Sequence, residues 1–311
     1  MRLKLVPENT SIPFVAYRKA AFAFSILIVL ASIALVFTKG LNFGIDFKGG
    51  TMIEIETPEA ADISAIRTQL NGLGLGDVQV QTFGAPNDVL IRIQSQGGEP
   101  GSDQQVVELV KQELGDSVQY RRVEVVGPKV SGELVNSGVT AVVLAVALML
   151  IYVWFRFEWQ FSIGAVLALV HDVITTIGIF SLLQIEFSLP IIAAILTIVG
   201  YSMNDTVVVY DRVRENLRKY KRMDLGELID KAINETLTRT TMTALTTLLA
   251  LFALYIFGGE VIRGFTFAMI WGVIIGTYSS IFVAAPVLLI LGVKRDWSAT
   301  ASSPEPGKKG A

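Results

Sequence analysis

The chain has 311 residues, of which 52% are hydrophobic and 17% are charged, with a formal net charge of −2. Soluble domains carry about 25% charged residues, so this chain has too few charged side chains to cover a globular surface in water. The composition excludes a soluble globular protein and predicts an integral membrane protein. The lack of cysteine excludes disulfides and thiolate sites, and the single histidine, His171, leaves almost no basis for a metal site. We expect no cofactor.

Six apolar stretches are long enough to cross a bilayer, which takes about 20 residues of helix. They are 20–38, 134–155, 159–185, 187–210, 240–259 and 264–293. The first resembles a signal peptide, since Arg18 and Lys19 precede it. Its apolar run is too long for a signal peptide and no cleavage site follows, so we interpret it as a retained membrane anchor.

Lysine and arginine are concentrated in three regions: residues 1–19, the link 211–239 and the tail 294–311. The links at Glu186 and at 258–263 hold few cations. Because cytoplasmic loops are enriched in cations, both termini are predicted to be cytoplasmic, and six spans agree with that. The tail is rich in Ser, Pro, Gly and Ala, a composition typical of disorder.

The insert between the first two spans, residues 39–133, is then extracytoplasmic. Strand-like runs occur at 52–56, 78–81, 89–93 and 118–126, and helical spacing occurs at 60–70 and 104–114, with Asp103 as a candidate N-cap. The order β-α-β-β-α-β predicts a ferredoxin-like α+β domain. The fold class is therefore a six-helix membrane protein with one small extracytoplasmic domain.

Two acidic residues occur inside predicted spans: Asp172 in the third and Asp205 in the fourth. Intramembrane acids are costly to insert and functional by default, but each could instead be a packing residue that is hydrogen-bonded to Asn204, Ser202 or His171. Apolar surroundings favour a protonated carboxyl group and a nearby cation favours the ionised one. Arg239, at the start of the fifth span, is the candidate cation, although it could equally be a positive-inside anchor. The sharper hypothesis is proton coupling at Asp205.

Small residues at helical spacing indicate close helix packing in the sixth and fourth spans. Gly272, Gly276 and Ser280 form a small-xxx-small row, and Gly200 could act in the same way. The sequence holds no Gly-rich phosphate loop, metal-ligand spacing or nucleophile elbow. The link 211–239 is too short for an ATPase domain. An enzyme is therefore not expected, and energy must come from an ion gradient or a partner.

Two motifs carry a specific resemblance. The run 43–51, FGIDFKGGT, resembles the G-[IL]-D-F-x-G-G motif of the SecD/SecF protein-export family, with Gly44, Asp46, Phe47, Gly49 and Gly50 at its defined positions. The run 199–216 resembles the fourth-helix signature of the SecF branch. Supporting segments are 170–172, 237–240 and 257–259. The resemblance covers nearly the whole chain except its tail.

The resemblance implies an accessory subunit of the bacterial Sec preprotein translocase, in the resistance-nodulation-division superfamily and in the inner membrane. Its implied partners are SecD, the SecYEG translocon, the translocating preprotein and membrane lipid, with no nucleic acid. It implies use of the proton motive force, with Asp205 and Arg239 at the family's coupling positions and Asp172 as a further candidate. For Asp46 and the Gly49-Gly50 pair we expect a structural turn.

Two alternatives remain open. One is half of a proton-driven small-molecule or lipid exporter of the resistance-nodulation-division kind, although such exporters usually have twelve spans and two large inserts. The other is a membrane scaffold that organises the translocase without moving protons.

Overall fold

The computed structural model describes residues 10–76, 78–95 and 102–293. The predicted disordered tail 294–311 and the first nine residues of the predicted N-terminal segment lie outside the described residues. The chain begins with a short 3₁₀ turn and α1, and a small domain follows. The elements are the turn Phe14–Tyr17, α1 (Arg18–Thr38), α2 (Ile45–Lys48), β1 (Gly50–Glu56), α3 (Ile63–Asn71), β2 (Val78–Phe83), β3 (Ala85–Gln94), α4 (Ser102–Leu114) and β4 (Gln119–Val126).

The remainder of the described chain is helical. It comprises α5 (Pro128–Arg156), α6 (Trp159–Leu183), α7 (Leu189–Lys219), α8 (Leu225–Phe257), α9 (Glu260–Ser279), a π-helical turn (Ser280–Ala284) and α10 (Ala285–Leu291). Six helical segments are long and apolar enough to span a membrane: α1 with its preceding turn, α5, α6, α7, α8, and α9 joined through the π turn to α10. The expectation of six spans is confirmed.

Several helices extend beyond the apolar windows that predicted them. The predicted link 211–239 is mostly helical, because α7 continues to Lys219 and α8 begins at Leu225. Asp224 caps α8 by accepting a hydrogen bond of 2.8 Å from the Gly226 amide. Similarly, α5 begins at Pro128 inside the predicted insert, since proline suits the first turn of a helix. An apolar window in the sequence marks only the part of a helix that is suited to lipid. The helix itself can continue for further turns of charged residues beyond that window.

The small domain is built on a four-stranded antiparallel sheet with the order β2-β3-β1-β4. Inward-facing Ile53, Ile55 and Ile91 are fully buried against Leu70 of α3 and Val110 of α4. The predicted cap Asp103 is instead a buried residue inside α4, whose carboxylate accepts a hydrogen bond of 3.1 Å from Ser95 Oγ. Because α4 already includes Ser102, Asp103 lies in the first turn of the helix and not at the N-cap position before it.

The membrane helices divide into an inner and an outer group. In α6, α7 and α9 half or more of the most apolar window is buried, whereas in α8 only 6% of it is buried. Most side chains of α1 and α5 are also exposed. The three inner helices meet around α9, and they carry both predicted acidic residues.

Candidate functional site

Asp172 lies on α6 at the point where the three inner helices meet, and it is 0% exposed. Its Oδ2 accepts hydrogen bonds from Ser202 Oγ of α7 at 2.6 Å and from Ser279 Oγ of α9 at 2.8 Å. A buried carboxyl group is tolerated when such donors surround it. The Asp172 carboxyl group is therefore a shared hydrogen-bonding centre for α6, α7 and α9.

The neighbouring imidazole also contacts this carboxyl group. His171 Nδ1 lies 3.0 Å from Asp172 Oδ1, although successive helical side chains point about 100° apart. Of the three candidate partners named from the sequence, His171 and Ser202 both contact Asp172. His171 Nε2 is buried and has no hydrogen-bond partner among the described residues.

A row of small and hydroxyl residues joins α7 to the end of α9. A Cβ atom at Gly276 would lie 3.0 Å from Ser202 Cβ, and one at Gly272 would overlap the Ile198 side chain. One turn further, Ser280 Oγ lies 2.8 Å from Thr206 Oγ1. The predicted row of Gly272, Gly276 and Ser280 therefore lies directly against α7, where it permits close approach.

Gly200 does not belong to this contact. A Cβ atom placed there would meet no described atom of the chain within 4 Å. Gly200 is on α7, but it faces away from the row that packs against α9. The described contacts of this chain therefore give Gly200 no role in close helix packing.

Asp205, one turn beyond Ser202 on α7, is 3% exposed. Its Oδ2 is buried without a hydrogen-bond partner among the described residues. Arg239 of α8 is exposed, and its guanidinium group acts electrostatically on the Asp205 carboxyl group. Across residues 102–293, no ion pair shorter than 4.0 Å joins the two. Asp205 is thus a buried acid with one buried oxygen unpaired, and Arg239 is a cation that acts on it from beyond ion-pair distance.

The two acids occupy separate positions that α7 connects. Asp172 is bonded to Ser202, and Asp205 follows three residues later on the same helix. Thr206, next to Asp205, contacts Ser280, which in turn donates to the Ser202 carbonyl oxygen at 3.4 Å. The predicted candidates are therefore brought into one region as two linked subsites. Asn204, a predicted partner, is exposed instead.

The FGIDFKGGT motif lies at the other end of α7, where the small domain joins the helices. Asp46 Oδ2 accepts a hydrogen bond of 2.9 Å from the Leu189 amide, the first residue of α7. Phe47 packs its ring against Phe187, with the ring centroids 5.9 Å apart. The motif therefore makes tertiary contacts with the α6–α7 turn, beyond the local turn we expected.

Three glycines of the motif have distinct reasons to be glycine. Gly49 and Gly50 have φ of +73° and +129°, a region that other residues rarely adopt. A Cβ at Gly44 would lie 2.6 Å from Glu186 Oε1. The pair allows the chain to turn from α2 into β1, and Gly44 leaves room for the Glu186 side chain.

Sequence reasoning missed Ser279, Thr206 and Glu186. Ser279 adjoins the small residue Ser280, but nothing in the sequence shows which of two adjacent serines faces Asp172. Glu186 was treated only as part of a short link, yet it forms an ion pair with Arg92 of β3. Among the described residues, no group of three or more His, Cys, Asp or Glu side chains is arranged to hold a metal ion.

Comparisons with known proteins agree with this architecture. Residues 106–294 match the family described as protein export membrane protein SecD/SecF, C-terminal, and residues 34–57 match the SecD/SecF GG motif. The chain is 50% identical to the protein translocase subunit SecF of Cereibacter sphaeroides over 94% of both chains. It is 44% identical to the SecF subunits of Vibrio alginolyticus, over 94% of both chains, and of Rickettsia bellii, over 94% of this chain and 97% of the relative.

Solved structures show the same arrangement of the chain. The crystal structure of SecDF, a translocon-associated membrane protein from Thermus thermophilus, superposes with a TM-score of 0.84 at 35% identity. A crystal structure of SecDF in a super-membrane-facing form superposes with a TM-score of 0.69 at 35% identity. In both, the match covers 94% of this chain and 40% of the SecDF chain.

The fold and these matches define a multi-pass membrane protein of the protein-export class. Six apolar helices, a small antiparallel domain after the first of them and the GG motif at their junction are its defining features. The chain belongs to the SecD/SecF family, within the group of SecF translocase subunits.

Proposed function

We propose that this chain is an accessory subunit of the Sec preprotein translocase that works with SecD and uses the proton motive force to help complete protein export. Membership of the SecF group over 94% of the chain supports the role in translocation. The proton coupling is supported above all by Asp205, a buried carboxyl group with one buried oxygen unpaired, within electrostatic reach of Arg239 but not in an ion pair with it.

The coupling works by alternation between two charge states. When Arg239 withdraws, the apolar surroundings of Asp205 favour its protonated form, and when Arg239 returns, the ionised form is favoured. Movement of one charge across about 100 mV supplies roughly 2.3 kcal/mol, which shifts a two-state equilibrium more than tenfold. Asp172, whose carboxyl group accepts hydrogen bonds from two serines, is the second candidate for carrying the proton.

A partner is needed because α8 presents a polar stripe, formed by Arg239, Thr243 and Thr246, on the outside of this chain. Arg239 is exposed on that helix, and only 6% of its apolar window is buried. A charged side chain in lipid costs up to roughly 2.5–3.5 kcal/mol on insertion scales when it lies at the membrane centre, and less near the start of a span, where Arg239 lies. A second six-helix half, supplied by SecD, would cover that stripe. SecYEG, the preprotein and lipid complete the proposed set of partners.

The proposed topology has both termini in the cytoplasm of a bacterial cell and the chain in its inner membrane. The cations on the α7–α8 connection support this orientation. The small domain is then extracytoplasmic. Its strand order β2-β3-β1-β4 and its element order support a ferredoxin-like assignment.

The test replaces Asp205 by asparagine and measures preprotein export in inverted vesicles, with and without an uncoupler. The matched control is Asp211→Asn, on the same helix but in an exposed ion pair of 2.8 Å with Arg156. We expect Asp205→Asn to lose the uncoupler-sensitive part of export and to keep its association with SecD. The control should keep both. A scaffold without proton coupling would tolerate both changes equally, and wild-type, uncoupler-sensitive export by Asp205→Asn would refute the proposal.

A further inference from the structure

The GG motif and the α6–α7 turn are joined by main-chain hydrogen bonds between residues that are 143 and 145 positions apart in the sequence. The Phe187 amide donates to the Asn42 carbonyl oxygen at 2.7 Å, and the Gly44 amide donates to the Phe187 carbonyl oxygen at 2.9 Å. Phe43 and Phe187 form an isolated parallel β-bridge. The entry to the small domain is thus attached to the turn between the two helices that carry Asp172 and Asp205.

Asp46 supplies the hydrogen-bond acceptor for the first turn of α7 that the residues of α7 themselves lack. The N-cap residue of α7, Ser188, makes no side-chain capping hydrogen bond, and Pro190 has no amide hydrogen. The Leu189 amide would be an unsatisfied first-turn donor, and Asp46 Oδ2 accepts its hydrogen bond at 2.9 Å. A carboxylate at this position also interacts favourably with the positive end of the helix dipole.

A second contact holds the same turn from the sheet. Arg92 of β3 forms an ion pair with Glu186, and only 12% of the Arg92 side chain is exposed. Gly44 makes room for this glutamate, since a Cβ there would approach Glu186 Oε1. The small domain therefore contacts the α6–α7 turn through both its entry segment and its sheet.

We propose that Asp46 is a positioning residue for proton coupling, because it fixes the start of α7 to the small domain so that the two move together. The proposal rests on the proposed role of Asp205. From Leu189 to Asp205 the helix rises about 24 Å, at about 1.5 Å per residue. A continuous helix moves as a rigid element, so displacement near Asp205 reaches the small domain only if the start of α7 remains attached to it.

The experiment compares three variants in full-length chain co-purified with SecD. Asp46→Ala removes the acceptor, and Asp46→Asn keeps an acceptor without the charge. Asp62→Ala is the matched control, because Asp62 caps α3 in the same domain with two hydrogen bonds of 3.0 Å, both to amides of α3 itself. If Asp46→Ala does not accumulate in membranes, Leu189→Pro deletes the donor instead, at a helix position that accepts proline.

Two readouts are taken: hydrogen exchange in the first turn of α7, and the uncoupler-sensitive part of preprotein export in inverted vesicles. We expect Asp46→Ala to speed hydrogen exchange in the first turn of α7. We also expect it to reduce uncoupler-sensitive export about fivefold, the factor that corresponds to the free energy typically lost with a helix cap. Uncoupler-insensitive export and binding to SecD should be unchanged. Asp46→Asn should stay within about twofold of wild type, and so should Asp62→Ala.

Asp205→Asn is measured in parallel to separate the two proposals. If Asp205→Asn loses uncoupler-sensitive export and Asp46→Ala keeps it, the positioning role of Asp46 is overturned and the proposed function stands. If Asp205→Asn keeps it, the proposed function fails, whatever Asp46→Ala does. A loss by Asp62→Ala equal to that of Asp46→Ala would show general loosening of the domain and would also overturn the positioning role.

Discussion

Ser202 of α7 donates a hydrogen bond of 2.6 Å to Asp172 of α6, and its Cβ is the atom that a side chain at Gly276 of α9 would approach at 3.0 Å. One serine therefore takes part in both the polar centre and the closest helix contact of the bundle. Ser202 is the one described residue of α7 that bonds to the Asp172 carboxyl group. A shift of α7 relative to α6 therefore changes the hydrogen bonding of Asp172.

The hydroxyl groups around Asp172 are predicted to stabilise the bundle. We expect Ser202→Ala and Ser279→Ala each to lower the free energy of unfolding by about 1–2 kcal/mol, since each leaves a buried carboxyl oxygen with one donor fewer. The control is Ser162→Ala on α6, because the buried Ser162 Oγ has no partner among the described residues. Thermal unfolding in mild detergent measures the difference. Equal melting temperatures for all three variants would contradict this prediction.

Alanine substitution should separate the glycines of the packing row from Gly200. Gly272→Ala and Gly276→Ala are expected to destabilise the protein by about 1–3 kcal/mol, because the added methyl group meets Ile198 or Ser202. Gly200→Ala is expected to be neutral or stabilising by up to about 1 kcal/mol, since its Cβ meets nothing described and alanine favours helix. The measurement is the melting temperature of each purified variant. If Gly200→Ala lowers the melting temperature of the isolated chain as much as Gly276→Ala does, the prediction is refuted.

Lysine is not expected to replace Arg239. The ammonium group lacks the planar guanidinium fork, and it loses its proton more readily in apolar surroundings. We expect Arg239→Lys to keep membrane insertion and to lose most of the uncoupler-sensitive export. The control is Arg156→Lys, whose ion pair with Asp211 is exposed. Full activity of Arg239→Lys would mean that only a positive charge is needed at this position.

Acidification is predicted to increase the contribution of Glu186 to the stability of the fold. Burial raises the pKa of Glu186 above its ordinary value of 4.5, and it outweighs the opposing attraction of the ion pair with Arg92. The other charged groups that act on it are Asp46, Glu124 and Arg122. Because the folded state binds this proton more tightly than the unfolded state, the contribution of Glu186 to stability rises as the pH falls from the raised pKa to about 4.5.

The pH prediction is tested with Glu186→Gln, which cannot titrate. The melting temperature of wild type minus that of Glu186→Gln should increase on going from pH 8 to pH 5, in the same detergent and salt. A difference that shrinks on acidification would show that the ion pair with Arg92, rather than burial, controls the titration of Glu186.

The sequence predicted the features that depend on composition and period. The six spans followed from apolar length, and the order of strands and helices followed from the alternation of periods. The coupling role of Asp205, inferred from the cost of an acid inside a membrane, stays a prediction. Contacts between distant segments could not be found in this way. The bond from Leu189 to Asp46 joins residues 143 positions apart, and only the folded chain shows that an acid in a turn motif caps a membrane helix. The charged ends of α7 and α8 were likewise missed, because helix continues after apolar character stops.

The π-helical turn at Ser280–Ala284 places one extra residue between α9 and α10. An extra residue rotates everything after it by about 100° relative to an unbroken α-helix. The direction in which Leu288 of α10 points, into the core where it is fully buried, therefore depends on this extra residue. Deleting one residue of the turn would rotate α10 by about 100° and force its four consecutive buried residues, Ala285 to Leu288, to repack, so chain length within these five residues determines how α10 packs.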